Sequence, residues 1–180
     1  MRRLATLLAA MALSSSAAMA DKIDTGHSGV MFKAHHFNAG YTWGRFKDFE
    51  GTVDMNGDQL ASVSITVKAD SVDTEVDKRD KHLRSPDYLD AEQFPTITFV
   101  STSVTPGANK TYAVTGDLTL HGVTKAITVT MAHTGEGPDP WGGHRTGWET
   151  NFSISTPDFG IQQDGVGETL HLLINLEAKR

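Results

Sequence analysis

Residues that could do chemistry are densest between positions 77 and 90, where the sequence reads DKRDKHLRSPDYLD. His82 stands there with three aspartates as candidate partners, and an imidazole beside a carboxylate can act as a general acid and base. The three are Asp80, Asp87 and Asp90. A single histidine near carboxylates in a charged turn is more often a hydrogen-bonded structural residue. The segment therefore supports an acid/base hypothesis centred on His82, with a structural role as the reading we favour.

The remaining histidines do not have the spacings of a metal site. The sequence contains no H-E-x-x-H pattern and no cysteine. His35 and His36 are adjacent, so on a strand they would face opposite sides. There is no G-x-S-x-G elbow, and residues 165–169 lack the lysine of a phosphate-binding loop. We therefore expect no metal, no cofactor and no catalytic nucleophile.

The charged segment also has an architectural reading. Residues 77–84 lack β-branched side chains, which favours a helical turn or two. Ser85-Pro86 then predicts an N-cap followed by proline at the first position of a second short turn. Pro95 ends that turn, because it pushes Phe94 into extended geometry. We expect a short helical crossover near residues 77–93, with four charged side chains facing solvent or one another: Arg79, Asp80, Lys81 and Arg84.

The rest of the chain alternates apolar and polar residues with a period of two. The pattern is clear in SVSITVKA (62–69), AITVTMAH (126–133) and TLHLLINLEA (169–178), and it predicts half-buried strands. Further strands are predicted at 29–37, 43–56, 96–104, 111–121 and 147–156, with one long irregular loop at 135–147. About eight strands with short turns between them predict an antiparallel sheet. Its apolar face must be hidden in a sandwich or a closed barrel, and alternation alone does not separate the two.

Composition limits the location and the class of partner. Met1-Arg2-Arg3 followed by an apolar run, with Ala18 and Ala20 before Asp21, predicts a secretory signal at 1–20 that is cleaved on export. A single domain at 21–180 would remain. The absence of cysteine excludes a disulfide framework. The excess of 22 acidic over 16 basic residues argues against a nucleic-acid surface.

Short motifs along almost the whole of 21–180 are similar, in order, to those of one known family. They are Ile23-Asp24, His27-Ser28, Gly44-Arg45-Phe46, Phe49 with Gly51, Ser71-Val72-Asp73-Thr74, Arg79-Asp80, His82-Leu83-Arg84-Ser85, Phe94-Pro95, Ile97, Phe99, Ser101, the run 116–124, and Asp158-Phe159-Gly160-Ile161. In this succession the chain resembles the YceI-like family. The resemblance implies an exported bacterial protein, usually periplasmic, folded as an extended lipocalin-like antiparallel barrel. It also implies an interior that carries a polyisoprenoid or fatty-acid-like amphiphile, in quinone-related or stress settings, with no established reaction.

A lipid-filled interior agrees with the residue types. Walls of Val, Ile, Leu, Met and Phe offer no polar partner to a sugar, while each buried CH₂ is worth roughly 0.8 kcal/mol. The expected tail contacts are Phe32, Phe46, Phe49, Leu83, Tyr88, Phe94, Phe99 and Phe152. Arg79, His82 and Arg84 are candidates for charge-assisted donors to a polar or phosphate head. The alternative is a barrel filled by its own side chains.

The functional hypothesis is therefore a periplasmic carrier of a long-chain isoprenoid or fatty-acid-like lipid. Two alternatives stay open: an enzyme acting on an amphiphile through His82 and a neighbouring carboxylate, and an accessory protein of a respiratory membrane complex. The partners expected are the lipid itself and, in passing, a membrane or a respiratory membrane protein, with no nucleic acid. The oligomeric state stays open between a monomer and a homodimer.

Overall fold

The computed structural model describes residues 20–162 and 165–180. The predicted signal at 1–20 lies outside this part except for Ala20. The strands are β1 (Asp21–Ile23), β2 (Gly29–His36), β3 (Gly40–Phe46), β4 (Phe49–Asn56), β5 (Gln59–Lys68), β6 (Val72–Asp73), β7 (Thr96–Pro106), β8 (Thr111–Leu120), β9 (Val123–Pro138), β10 (His144–Ser155) and β11 (Val166–Lys179). One α-helix, α1 (Asp77–Leu83), lies between β6 and β7, and 3₁₀ turns occupy Ala69–Ser71 and Pro157–Phe159.

The strands close into a barrel. Eight of them form an antiparallel ring in the order β1-β4-β5-β7-β8-β9-β10-β11, because the short β1 pairs with both β4 and β11. β2, β3 and β6 extend the sheet from β11. The predicted all-β fold, with a short helical crossover, is confirmed. Closure answers the question that alternation left open, and it leaves an interior of the size that holds side chains or one small ligand.

One predicted strand is two strands in the structure. The sequence favoured a single strand over 43–56, but the chain turns at Lys47 and Asp48. Their backbones bond to the end of β5 and the turn after it, Lys47 N to Ser71 O at 3.1 Å and Lys68 N to Asp48 O at 2.9 Å. Phe46 and Phe49 consequently stand on different strands. Both are buried, although residues three apart on one regular strand would face opposite sides.

The long loop predicted at 135–147 is wrong. β9 continues to Pro138 and β10 begins at His144, so only residues 139–143 form the turn. Asp139 closes this turn, since its carboxylate accepts hydrogen bonds from the Trp141 and Gly143 amides at 2.9 and 2.8 Å. These amides hold the pKa of Asp139 below its ordinary value. Glycine and proline at 135–138 predicted a loop, but the pairing of β9 with β10 continues through these residues to Pro138.

The crossover contains one helix, and the second short turn predicted at Ser85-Pro86 is not helical. The Ser85 hydroxyl donates back to the His82 carbonyl at 2.7 Å instead of capping a following helix. The chain then folds back on α1, with Leu89 N bonded to Leu83 O at 3.0 Å. This return places Leu83 and Leu89 side by side against the barrel core.

Candidate functional site

The barrel encloses an apolar cavity of about 680 Å³. Three strands supply inward-facing aliphatic side chains at alternate positions. β5 contributes Val63, Ile65 and Val67; β9 contributes Val129 and Met131; β11 contributes Leu170, Leu172, Ile174 and Leu176. These are the alternating residues from which the strands were predicted, so the same period-two pattern that folds the sheet also builds the cavity wall.

Below the cavity the barrel is filled by its own side chains. Trp148 is fully buried, and its Nε1 donates to Thr146 Oγ1 at 3.1 Å. Its ring packs at 5.7 Å from Tyr112 and 4.7 Å from His133. Val114, also fully buried, belongs to the same core cluster. The interior is therefore divided into a packed floor and a hollow above it.

The cavity opens at the end where β2 finishes and β11 starts. Seven of its lining residues are exposed to solvent, and we call these the mouth: His36, Phe37, Val76, Lys78, His82, Gln162 and Glu168. They come from the end of β2 and the turn after it, from α1 and the residue before it, and from the start of β11 and the segment that leads into it. Arg79 lies just inside, half-buried. Among the described lining residues, Lys78 and Arg79 carry positive charge and Glu168 is the single carboxylate.

A buried carboxylate fixes α1 on the barrel. Asp80 is 4% exposed, and it accepts hydrogen bonds from Thr74 N at 2.8 Å and from Thr74 Oγ1 at 2.5 Å. The expectation that Asp80 faces solvent or its charged neighbours is wrong. Thr74 in turn accepts from Arg79, Nε to Oγ1 and Nη2 to the carbonyl oxygen, both at 2.7 Å. The guanidinium is thereby held against the cavity wall.

His82 has a carboxylate partner, as the sequence suggested, and the pair is open to water. Its Nε2 lies 3.0 Å from Asp87 Oδ2, and both side chains are more than half exposed. The His82 ring also meets Tyr88 edge-on, with centroids 5.0 Å apart. Burial, and to a lesser extent the Asp87 charge, raises the pKa of Tyr88. The arrangement therefore fixes Tyr88 at the cavity wall.

The structure brings eight of the eleven predicted binding residues to the cavity. These are Phe32, Phe46, Arg79, His82, Leu83, Tyr88, Phe99 and Phe152. The other three stand elsewhere. Phe49 is buried within the packed core cluster. Phe94 packs edge-on against His121 at 4.8 Å and lies directly over Gly122. Arg84 follows the last residue of α1, and its Nη2 donates to the Val72 carbonyl at 3.4 Å.

A charged cluster at the opposite end of the barrel contains atoms that could ligate a metal ion. Cationic side chains already neutralise it. Carboxylate and imidazole atoms of Asp24, His27 and Glu177 lie within 4.8 Å of one another. Arg145 Nη1 donates to Asp24 at 2.8 Å and also to Glu177, and Lys179 Nζ lies 3.1 Å from Asp24. The two cations hold the pKa of Asp24 well below its ordinary value. An ion-pair network accounts for this cluster.

A comparison with family models matches the YceI-like domain over residues 22–178. The chain belongs to the YceI-like family. Relatives of this YceI-like protein include a UPF0312 protein of Ectopseudomonas mendocina, 41% identical over 158 residues that cover 86% of this chain and 83% of the relative. A UPF0312 protein of Photorhabdus laumondii is 41% identical over 179 residues, which cover 95% of this chain and 93% of the relative.

Solved structures agree in fold. BcnA of Burkholderia cenocepacia superposes with a TM-score of 0.79 at 23% identity, covering 87% of this chain and 99% of BcnA. The YceI protein of Campylobacter jejuni gives 0.71 at 28% identity, with 76% and 84% covered. A polyisoprenoid binding domain from Saccharophagus degradans gives 0.65 at 15% identity, with 87% and 96% covered. In the part of the YceI-like chain that the structure describes, no helix is long and apolar enough to cross a membrane.

Sequence reasoning missed several lining residues of this YceI-like domain. Phe37 was predicted only as the end of a strand and Lys78 only as part of the helical crossover, and Val76 was not singled out. Ala34 and Thr150 also line the cavity. Alternation carries a signal for Ala34, which follows Val30 and Phe32 at period two on β2. The mouth residues carry no such signal, because three separate segments meet there.

Proposed function

We propose that this protein binds and carries a long-chain amphiphile, a polyisoprenoid or a fatty-acid-like lipid, in the cavity of its barrel. The observation that carries the proposal is a hollow of about 680 Å³ whose deep walls are aliphatic. This volume lies within the range of roughly 300 to 1,000 Å³ for small-molecule sites. Apolar cavities do not hold water well, so an apolar chain is the occupant that such a wall favours.

The polar groups of the site are concentrated at its opening, which suits an amphiphile. A hydrocarbon tail inside gains roughly 0.8 kcal/mol for each CH₂ removed from water, less the costs of association and ordering. The head group then lies at the mouth, where Lys78 and Arg79 supply cationic donors and His82 supplies an imidazole. The solved polyisoprenoid binding domain from Saccharophagus degradans supports the fold alone at 15% identity. The class of ligand is therefore inferred from the residues that line this cavity and not from that neighbour.

The proposal is binding without turnover. The pair that could serve as acid and base, His82 and Asp87, lies in water at the rim. General acid/base catalysis gains most where the pair is positioned against a bound substrate and shielded from solvent. The bound lipid should be recovered chemically unchanged from both the wild type and His82→Gln, and a turnover of the lipid that His82→Gln abolishes would contradict binding alone.

The proposal also places the protein in the periplasm after removal of residues 1–20. Two observations support it: β1 begins at Asp21, and the family match begins at residue 22. No strand of the described barrel would be lost by cleavage at that point. A role in quinone-related or isoprenoid metabolism, or in stress, belongs to the same proposal and depends on which lipid is found.

Filling the cavity tests the binding site directly. Ala34 faces the cavity from β2, whereas Ala113 faces solvent from β8, between the buried Tyr112 and Val114. In delipidated protein, Ala34→Phe should weaken hexadecanoic acid binding at least about tenfold, because the new ring takes the space of several methylenes. Ala113→Phe is the matched control and should bind like the wild type. Isothermal titration calorimetry measures both, with melting temperatures recorded to verify folding.

Two results would contradict the proposal. One is a wild-type protein that binds neither hexadecanoic acid nor a polyisoprenoid alcohol. The other is an Ala34→Phe variant that is folded and binds as tightly as Ala113→Phe, since the lipid would then lie outside the cavity.

A further inference from the structure

The β2–β3 turn holds an aromatic residue in a conformation that such residues seldom adopt. Phe37 has φ of +48° and Asn38 has φ of +53°. Positive φ is tolerated by glycine and asparagine, but for a bulky side chain it is a true outlier with an energetic cost. Phe37 is nevertheless 71% exposed. The cost is therefore not offset by burial of its ring within this chain.

The turn is rigid rather than loose. The Phe37 amide donates to the Gly165 carbonyl at 2.8 Å, and the Ala39 amide donates to the His36 carbonyl at 3.0 Å. The Phe37 ring lies so close over Gly165 that a Cβ at that glycine would be 2.4 Å from it. The ring thus projects from a fixed base at the mouth. Strained residues of this kind, held by their surroundings, tend to mark functional positions.

Phe37 has an apolar counterpart across the opening. Val76, just before α1, is 46% exposed and also lines the cavity. Asp77 and Lys78, both exposed, follow Val76, and the half-buried Arg79 comes next. The mouth therefore carries two protruding apolar side chains, Phe37 and Val76, with the Lys78 ammonium on its rim and the Arg79 guanidinium just inside. The chain as a whole has a formal charge of −6, whereas the described lining of the cavity has one more positive than negative formal charge, Lys78 and Arg79 against Glu168.

The neighbouring outer face of β2 and β3 continues this character. Tyr41 and Trp43 are both about half exposed. The Lys33 ammonium lies 4.5 Å from the Tyr41 ring and 5.2 Å from the Trp43 ring. Tryptophan, tyrosine and lysine together are typical of side chains that lie at the level of lipid head groups.

We propose that the mouth docks on the surface of a lipid bilayer with anionic head groups, with Phe37 and Val76 inserting and Lys78 and Arg79 facing the lipid phosphates. This inference rests on the proposed function, because a bilayer is where a long-chain amphiphile is dissolved. Docking would bring the cavity opening to the membrane without passage of the tail through water. Exposed apolar area and charge attraction together set the strength of such interfacial binding.

The chain offers matched controls at the other end of the barrel. Trp141 is 82% exposed in the turn before β10, and β10 separates that turn from the end that carries the mouth. Lys110 is exposed in the turn between β7 and β8, at the same distant end. The variants compared are Phe37→Asn with Trp141→Asn, and Lys78→Gln with Lys110→Gln.

The experiment is co-sedimentation of the full chain with vesicles of three parts phosphatidylcholine to one part phosphatidylglycerol, and with vesicles of phosphatidylcholine alone. Phe37→Asn should lower partitioning about tenfold on both vesicles, since the inserting ring is lost. Lys78→Gln should lower it about fivefold on the anionic vesicles only. Trp141→Asn and Lys110→Gln should match the wild type. The melting temperature of Phe37→Asn should equal or exceed that of the wild type, because asparagine tolerates positive φ.

Three results would overturn the docking proposal: a wild type that ignores both vesicles, equal losses for Phe37→Asn and Trp141→Asn, or a dimer that dissociates in Phe37→Asn and so assigns the surface to a second copy. Hexadecanoic acid binding in solution separates the two proposals. A wild type that binds hexadecanoic acid but does not partition onto vesicles contradicts docking alone. A wild type that does neither contradicts the carrier function as well.

Discussion

Arg79 and Arg84 are equivalent in the sequence, both basic and both in the charged segment, but the structure separates them. α1 ends at Leu83, so Arg79 is on the helix and Arg84 follows it. Thr74 holds the Arg79 guanidinium at the cavity wall with two hydrogen bonds. Arg84 donates to the Val72 carbonyl and does not itself line the cavity. Arg84 thereby becomes a control for the role proposed for Arg79.

We expect Arg79→Gln to weaken binding of hexadecyl phosphate about tenfold or more, since a hydrogen bond to a charged group contributes roughly 1.5 to 3 kcal/mol. Binding of hexadecanol, which has the same chain and no charge, should change less than about twofold. Arg84→Gln should leave both affinities unchanged. Equal losses for the phosphate and the alcohol in Arg79→Gln would remove Arg79 from the head-group site.

Burial at single positions was the hardest feature to predict. Period-two alternation identifies the inward residues of a regular strand, which is why Phe32, Phe99 and Phe152 were placed correctly on strands that line the cavity. It says nothing about irregular segments. Asp80 has the sequence context of a surface charge, and only the fold shows that Thr74 lies against it.

At the scale of elements, a short strand closes the barrel, and ion pairs fix its end. β1 has three residues, so its ladder contributes few hydrogen bonds. Asp24 follows it directly and pairs with Arg145 on β10 and Lys179 on β11. These contacts link the end of β1 to β11, its neighbour, and to β10, the strand beyond β11. The carboxylate is stabilised in its charged form, with a pKa well below the ordinary value.

A depressed pKa in the folded state makes a pH-dependent contribution to stability. The contribution is complete above the ordinary aspartate pKa of about 3.9 and is lost as the pH falls below it toward the folded pKa. Asp24→Asn should therefore be less stable than the wild type at neutral pH, with a difference that shrinks progressively below about pH 4. Urea unfolding across pH measures it. Asp117→Asn, on the exposed face of β8, should show no such trend, and a constant difference for Asp24→Asn would contradict the ion-pair account.

Turns account for most of the errors at this scale. The sequence signals of glycine and proline at 135–138 predicted a loop, but in the structure the long β9 ladder extends through them. Conversely, Lys47 and Asp48 carry no turn signal, and the break there is made by backbone bonds to a distant part of the chain. Contacts between segments far apart in sequence override local preferences in both cases.

At the scale of the whole molecule, alternation, strand number and short turns were enough to predict an antiparallel all-β fold. Closure into a barrel was predicted only through the family resemblance, and the structure confirms it. The alternation could not predict it, because β1, which joins β4 to β11, is too short to show a pattern. The division of the interior into a packed part and a hollow part could not be predicted from the sequence either. Trp148 and Tyr112 fill the lower half, while smaller aliphatic side chains leave the upper half hollow. Side-chain volume at each level of the barrel decides this, and it depends on the register between strands.

The central claim is that the hollow half of the barrel carries a long-chain amphiphile. Native mass spectrometry of the protein gently purified from the periplasm of its own cells, followed by organic extraction, tests it most directly. The account predicts a chain that begins at Asp21, bound one-to-one to an apolar compound that passes into the organic phase. A folded protein that appears at its bare mass, with nothing extracted, would contradict the account.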